Sequence, residues 1–567
     1  MQVYLQLGYF PWSEVYIIKI KILVILKFSF FLLKCTSVEI ADTIYFNGNI
    51  YTGNKGDTRK NYIATKNNLI LELGIDNYSH LIGNHTKLID LKNNFLLPGF
   101  IDNHTHFIYG GTTLNNISLQ NSFSKNDFID SFRQYISNIN NGQWIQGGNW
   151  DHENWGGLIP DKSWIDSLTN NFPVLVSRVD GHMALANSKA LEKANINENT
   201  PNPVGGEIVK DINTGIPTGI LKDTAIDIVR KLIPKQSHSE QDSILKTSMN
   251  YASSQGITQI HDMATWDDLH TFRRNKDKLT LRIKAYTWYE DWEKLIGLID
   301  AHGVGDDILR WDGIKAMIDG SLGSRTAWMH NHYLDDKSTN GIMRINDTNS
   351  FKDMMKILDE KGIQLAIHAI GDKANDWIIN QSMNLNKING LIDRRIRIEH
   401  AQHLTNDAIK KIINNNIIPS MQPYGCIDDT RWMHKRISSD LMSRTYIFKT
   451  FIDNNVNLTF GSDWDVTPLN PLLGIYAAVT RKTLDGSNPE GWNPEQKLTV
   501  EEAIACYTNN NSYAVFSEDK LGVLQKDMFA DFVVLSKDIT SIEVDDILKT
   551  TVLKTIYNGK EVYKSFK

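Results

Sequence analysis

Hydrophobic runs of strand length recur through the middle of the chain, and most are separated by segments in which apolar residues have helical spacing. This alternation is typical of parallel βαβ units. The candidate strands are residues 95–106, 257–263, 281–288, 311–319, 363–370, 395–402, 417–424 and 456–463. Eight parallel strands close a (β/α)8 TIM barrel, so the pattern predicts an α/β fold of this type.

The first two candidate strands are too far apart in the sequence for a single crossover helix. The connection between them, about residues 112–250, is therefore expected to form a large insertion after the first barrel strand. An apolar run at 174–178 predicts that the insertion contains a strand of its own.

Both flanks of the chain consist of short β-like segments. Residues 43–52 are interpreted as a hairpin around Asn47-Gly48, and residues 69–74 and 87–92 as two further strands. Residues 531–536 and 555–563 have the same character. Because these flanks enclose the barrel segment, residues 95–510, we expect one small composite β-sandwich assembled from residues 37–94 and 511–567.

Residues 1–36 differ from the rest of the chain. Lys19 and Lys21 precede an apolar run at 22–33 that only Lys27 interrupts, which is short for a membrane span and typical of a signal-peptide core. Residues 32–35 loosely resemble a bacterial lipoprotein cleavage box. The segment therefore predicts export to the periplasm or the medium, or a lipid anchor at a membrane. A cytoplasmic chain, with this stretch as an untranslated or disordered extension or a buried helix, is the alternative.

The net charge limits which partners the chain can bind, and the cysteine content limits which disulfides and metal sites it can form. The 567 residues carry a formal net charge of -6, so the chain has no basic footprint for nucleic acid. Cys35, Cys426 and Cys506 lie far apart and form neither a disulfide framework nor a thiolate zinc site. A small-molecule substrate is the expected partner, and the sequence is compatible with a homodimer.

Side chains that bind metals stand at the ends of several candidate strands. His104 and His106 are two residues apart at the end of the first, and residues with this spacing share one face of a strand. The residues at later strand ends are Lys315 and Asp319, His368, His400 and Asp463. Active sites of barrels lie at the carboxyl ends of the strands. Because imidazole and carboxylate bind zinc and similar ions, the sequence predicts a divalent metal site there.

Six motifs carry a resemblance to a known family. They are Pro98-Gly-Phe-Ile-Asp-Asn-His-Thr-His106, Asp180-Gly-His-Met-Ala-Leu-Ala-Asn-Ser-Lys-Ala-Leu191, Asp319-Gly-Ser-Leu-Gly-Ser-Arg-Thr-Ala327, His368-Ala-Ile-Gly-Asp372, Glu399-His-Ala-Gln402 and Gly461-Ser-Asp-Trp464. From about residue 42 onward, the chain resembles the amidohydrolase superfamily. The finer motifs resemble its YtcJ-like branch, which is related to N-substituted formamide deformylases and plant LAF-type proteins.

The resemblance implies a role for each strand-end residue. The implied metal ligands are His104, His106, Lys315, His368, His400 and Asp463. Asp463 would also take the proton from the attacking water, which makes it the implied catalytic residue. Lys315 matches a position that can be a carboxylated lysine bridging two metals, so one or two divalent ions, with zinc as the first choice, are expected. Two alternatives remain. The site could hold a single metal, with Lys315 as an ordinary charged side chain, and His403 could be a ligand in place of His400.

The implied reaction is hydrolysis of a C–N bond in an amide or N-formyl compound other than a peptide. An ester or lactone hydrolase using the same site is one alternative, and a non-catalytic barrel used in binding or signalling is another. Trp150 and His182 in the insertion are expected to contact the substrate. Arg325, after the fourth strand, is expected to pair with a carboxylate on the substrate.

Overall fold

The computed structural model of the protein describes residues 39–565, apart from residues 55, 57, 58, 115, 138 and 140. The predicted signal or lipoprotein segment, residues 1–36, lies outside the described residues. Within the described range, no helix is both long enough and apolar enough to cross a membrane.

The described chain contains an eight-stranded parallel sheet in which each strand pairs with the next along the sequence. The strands, named here the first to the eighth barrel strand, are Phe100–Thr105, Ile257–Asp262, Arg282–Trp288, Leu309–Met317, Gln364–Ala369, Arg397–His400, Ile418–Met421 and Thr459–Phe460. The eighth returns to the first through a parallel bridge between Trp464 and Thr105 and a 2.7 Å hydrogen bond from the Asp463 N–H to the His104 carbonyl. The predicted TIM barrel is confirmed.

Helices between and after the strands cover the outside of the barrel. Helix Thr348–Glu360 shows why they form and pack. The carboxylate of Asp347 caps its first turn, and Phe351, Met355 and Leu358 follow one another at helical spacing on the buried face. The other α-helices of the described chain outside the insertion are Phe107–Thr113, His238–Ser254, Trp266–Arg274, Trp292–His302, Asp372–Asn389, Asn406–Asn414, Pro423–Asp429, Ser439–Met442, Phe448–Asp453, Pro471–Thr480, Val500–Cys506 and Asn509–Ala514.

The two flanks of the chain form the expected β-sandwich. One sheet contains, in spatial order, Leu69–Gly74, Tyr62–Lys66, Thr43–Phe46 and Lys87–Asp90. The other contains Asn49–Ile50, Phe95–Pro98, Phe532–Leu535, Val552–Tyr557 and Lys560–Lys564, so it joins both ends of the described chain. Tyr45, Ile63, Leu96, Phe532 and Ile556 pack together in its core. The prediction of a composite sandwich is therefore confirmed.

Two local predictions at the sandwich are wrong. The expected hairpin around Asn47-Gly48 does not form, because Thr43–Phe46 and Asn49–Ile50 belong to different sheets. The run 95–106 is also not one barrel strand. It divides at Gly99, where an added Cβ would lie 2.2 Å from the Thr258 hydroxyl, and its first part pairs with the sandwich. Because Gly99 has no Cβ, the Thr258 side chain fits against it where the chain passes from one sheet to the other.

The insertion between the first two barrel strands has a sheet of its own. In spatial order its six strands are Gly206–Lys210, Pro217–Asp223, Met183–Ala186, Leu175–Arg178, Gly147–Trp150 and Ile117–Ser118. Its α-helices are Lys125–Ile136, Ser188–Lys193 and Thr224–Arg230. The predicted strand at 174–178 is confirmed. The turn after this strand and the end of Pro217–Asp223 contribute side chains to the cavity at the barrel mouth.

Candidate metal centre

A cavity of about 550 Å³ lies at the carboxyl ends of the barrel strands. All six predicted metal ligands line it, namely His104, His106, Lys315, His368, His400 and Asp463. They come from the first, fourth, fifth, sixth and eighth strand ends, and parallel pairing brings these ends to one rim. Side chains distant in the sequence therefore meet in one place.

Three of these residues form a compact group of donor atoms. Oδ1 of Asp463 lies 3.4 Å from Nε2 of His104 and 3.3 Å from Nε2 of His106. This oxygen is buried and has no hydrogen-bond partner among the residues that the structure describes. Ligand atoms on a tetrahedral zinc, each about 2.0–2.1 Å from the ion, are separated by roughly 3.3 Å. The donor set and its spacing therefore fit a divalent ion.

His368 and His400 extend this group along the cavity. Their ring centroids are 4.4 Å apart, and the His400 ring lies 5.2 Å from that of His104. Nε2 of His368 faces the Gly320 carbonyl at 3.1 Å, which leaves Nδ1 free to accept. Burial lowers the pKa of His400 to about 3 and that of His368 well below its usual value. Both rings are therefore neutral, which is the form that binds metal.

Backbone conformation turns the last strand residues toward the cavity. In a regular strand, His400 would face away from the side occupied by Glu399. His400 and Ala401 instead have φ values of +72° and +43°, and these break the alternation at the strand end. Asp463 also has a positive φ, +58°. Residues other than glycine rarely adopt such values, and they are concentrated at functional sites.

Lys315 is buried beside the three-residue group. Its Nζ lies 3.2 Å from Nε2 of His104. Burial lowers the pKa of Lys315 to about 8, even though Glu399 and Asp463 favour the charged form. A larger fraction of the amine is therefore neutral near pH 7–8 than for an exposed lysine. The neutral amine is the form that reacts with carbon dioxide to give a carbamate.

Two buried residues without a role predicted from the sequence, Glu399 and Arg397, orient the His104 ring, Glu399 by direct contact and Arg397 through Glu399. Nδ1 of His104 lies 2.6 Å from a carboxylate oxygen of Glu399, and Arg397 donates to the other oxygen at 2.8 Å. Burial opposes ionisation of Glu399, but Arg397 and His104 hold its pKa well below the usual range. A carboxylate on the outer nitrogen of a histidine fixes which nitrogen faces the metal. The signal in the sequence was the Arg-x-Glu-His spacing at 397–400.

Of the three residues predicted to contact the substrate, one lines the cavity and two do not. His182 lines the cavity. Trp150 is fully buried in the core of the insertion, where its indole donates to the Val176 carbonyl, so it cannot touch a substrate there. Arg325 is outside the cavity lining and pairs with Asp335 at 2.8 Å. His403, the alternative to His400, is buried beside Thr445 and also lies outside the cavity lining.

Comparison with known proteins shows the family to which this chain belongs. The model of the amidohydrolase family matches residues 87–563. Protein LONG AFTER FAR-RED 3 of Arabidopsis thaliana is 33% identical over 540 residues, which cover 92% of each chain. The putative amidohydrolase YtcJ of Bacillus subtilis is 32% identical over 458 residues, 78% of this chain and 84% of that one. N-substituted formamide deformylase of Arthrobacter pascens is 22% identical over 461 residues, 76% of this chain and 81% of that one.

A solved structure shares the fold. The crystal structure of an uncharacterized metal-dependent hydrolase from Pyrococcus furiosus matches with a TM-score of 0.69 and 25% identity, covering 88% of this chain and all of that one. The resemblance seen in the motifs is thus confirmed over most of the described chain. This protein belongs to the amidohydrolase family of metal-dependent hydrolases, in its YtcJ-like branch.

Proposed function

We propose that this protein hydrolyses the C–N bond of an amide or N-formyl compound that is not a peptide. The observation that carries the proposal is the unpartnered, buried Oδ1 of Asp463 between His104 and His106 at the barrel mouth. Such an arrangement suits a site that holds a metal and moves a proton in the same place. The similarity to N-substituted formamide deformylase, although only 22% identical, supports the choice of bond.

The residues of this chain have distinct tasks in the proposed reaction. His104, His106, His368, His400 and Asp463 would hold one or two divalent ions, with zinc favoured by the imidazole-rich donor set. When bound, such an ion lowers the pKa of water and polarises a carbonyl oxygen. The carboxylate of Asp463 accepts a proton from the attacking water and passes it to the leaving nitrogen. Water and amide thereby become a carboxylic acid and an amine.

The test of the proposal is turnover by zinc-loaded protein of a series of N-alkyl and N-aryl formamides and acetamides. We expect formate or acetate and the matching amine to appear in equal amounts, and removal of the metal with a chelator to abolish both. Readdition of zinc should restore activity. If zinc-loaded protein containing stoichiometric metal leaves every member of the series intact, the proposed function is wrong.

Replacement of Lys315 by alanine tests the number of metals. We propose that Lys315 would carry a carbamate, which would supply two further oxygen ligands and help to hold a second ion. Protein prepared with bicarbonate should then contain about two metals per chain, and Lys315→Ala about one, as measured by plasma mass spectrometry. The matched control is Lys235→Ala, which changes an exposed lysine and should leave the metal content unaltered. A single metal that persists in Lys315→Ala would remove Lys315 from the ligand set.

A further inference from the structure

His182 is held in the cavity by a buried ion-pair network that the proposed reaction does not use. Its Nδ1 lies 2.6 Å from Oδ1 of Asp223, and Arg344 donates to the same oxygen at 2.8 Å. The side chain of Asp223 is fully buried and that of His182 nearly so. The ring centroids of His182 and His368 are 5.3 Å apart, so the network lies beside the candidate metal ligands.

The turn that carries His182 is fixed on its other side as well. The backbone N–H of His182 donates to Asp180 at 3.2 Å. Asp180 in turn pairs with Arg178 and accepts hydrogen bonds from Ser321 and Ser324 after the fourth barrel strand. The insertion and the barrel therefore hold the His182 ring in one position relative to the strand ends. A ring fixed in this way is suited to selecting a ligand by hydrogen bonding.

The network also decides which nitrogen of His182 carries the proton. A guanidinium only donates hydrogen bonds, so the oxygen of Asp223 that meets Arg344 is an acceptor. That oxygen must accept from His182 too, which places the proton on Nδ1. Nε2 is then the nitrogen left for a ligand in the cavity.

We propose that His182 accepts a hydrogen bond at Nε2 from the N–H group of the substrate. This inference rests on the proposed function and narrows its substrate class to acyl compounds that carry an N–H group on the scissile nitrogen. Secondary amides and N-monosubstituted formamides have such a group. Esters, lactones and tertiary amides have none, so they would leave Nε2 of this nearly buried side chain without a partner. An unsatisfied buried acceptor disfavours binding of these compounds.

The experiment compares two matched substrates in zinc-loaded protein, an N-alkylformamide and the same compound with an added N-methyl group. The quantity measured is the ratio of their kcat/KM values. We expect His182→Phe, which keeps a ring of similar shape without an acceptor, to lower this ratio about tenfold relative to wild type. His182→Gln retains an acceptor oxygen and should recover part of the ratio. Because intrinsic reactivity cancels between variants, general damage to the site would leave the ratio unchanged.

The matched control is His330→Phe, since His330 pairs with Asp376 at 2.8 Å on the surface and its loss should not alter the ratio. A fall in activity of His182→Phe that is equal for both substrates would overturn the role of His182 and leave the proposed function intact. Failure of zinc-loaded wild-type protein to hydrolyse either substrate, or any other amide tested, would overturn both.

Discussion

Replacing Asp463 with asparagine is expected to lower kcat on a formamide substrate by roughly 10²- to 10⁴-fold, which is the usual contribution of a positioned proton-transfer group. Asparagine keeps an oxygen at the position that lies 3.3–3.4 Å from both His104 and His106. It cannot accept and return a proton. Most of the bound metal should therefore remain while turnover is lost, and kinetics combined with plasma mass spectrometry would measure the two separately.

The matched control for this variant is Asp440→Asn, which removes an exposed carboxylate paired with Arg444. We expect its kcat and metal content to equal those of wild type. If Asp463→Asn retained both its metal and nearly full activity, another group would have to move the proton. In that case, Asp463 would be a metal ligand only.

The second large effect is expected in stability. Arg397→Met should lower the free energy of unfolding of the metal-free protein by about 3–5 kcal/mol, because it leaves the carboxylate of Glu399 buried without its main counter-charge. Arg397 is fully buried and donates to Glu399, to the Tyr286 hydroxyl and to the Asn103 carbonyl. Urea denaturation of metal-free protein measures the effect without a contribution from lost metal.

An exposed arginine provides the comparison. Arg133 pairs with Asp130 on the surface of the insertion, and both side chains are more than half exposed. Exposed pairs contribute about 0–1 kcal/mol, so Arg133→Met should shift the urea midpoint little. A similarly small shift for Arg397→Met would show that water or a protonated Glu399 compensates the loss.

Local patterns were sufficient to predict the barrel and to place the candidate metal ligands at one rim. Each barrel strand is a short apolar run, and the position of a side chain at the end of such a run follows from the sequence alone. Since all parallel strands end at one rim, His104, His368, His400 and Asp463 could be placed together without knowledge of their contacts. His182 came from the family resemblance, because its turn is part of the insertion and no strand rule applies to it.

The remaining errors arose where long-range packing decides the outcome. The sequence Asn47-Gly48 favours a hairpin locally, but the strands on either side of it pair with other strands, in two different sheets. A tryptophan or an arginine near a motif can point into the core or toward a neighbouring carboxylate, as Trp150 and Arg325 do. In the sequence alone, little distinguishes Arg397 from the other charged residues. Its role depends on partners such as Asn103, 294 positions away.

At Gly99 the chain leaves a sandwich strand and enters the first barrel strand, and this order has a consequence for synthesis on the ribosome. Phe95–Pro98 finds its antiparallel partner only in Phe532–Leu535, which is made after nearly all of the barrel. The adjoining strand Phe100–Thr105, with His104, emerges early and begins the barrel. While the chain grows, an apolar strand next to the first candidate metal ligands therefore lacks one of its two neighbours, and such an edge is prone to pair with other chains. Nascent chains that stall before residue 532 should accordingly depend most on protection from aggregation.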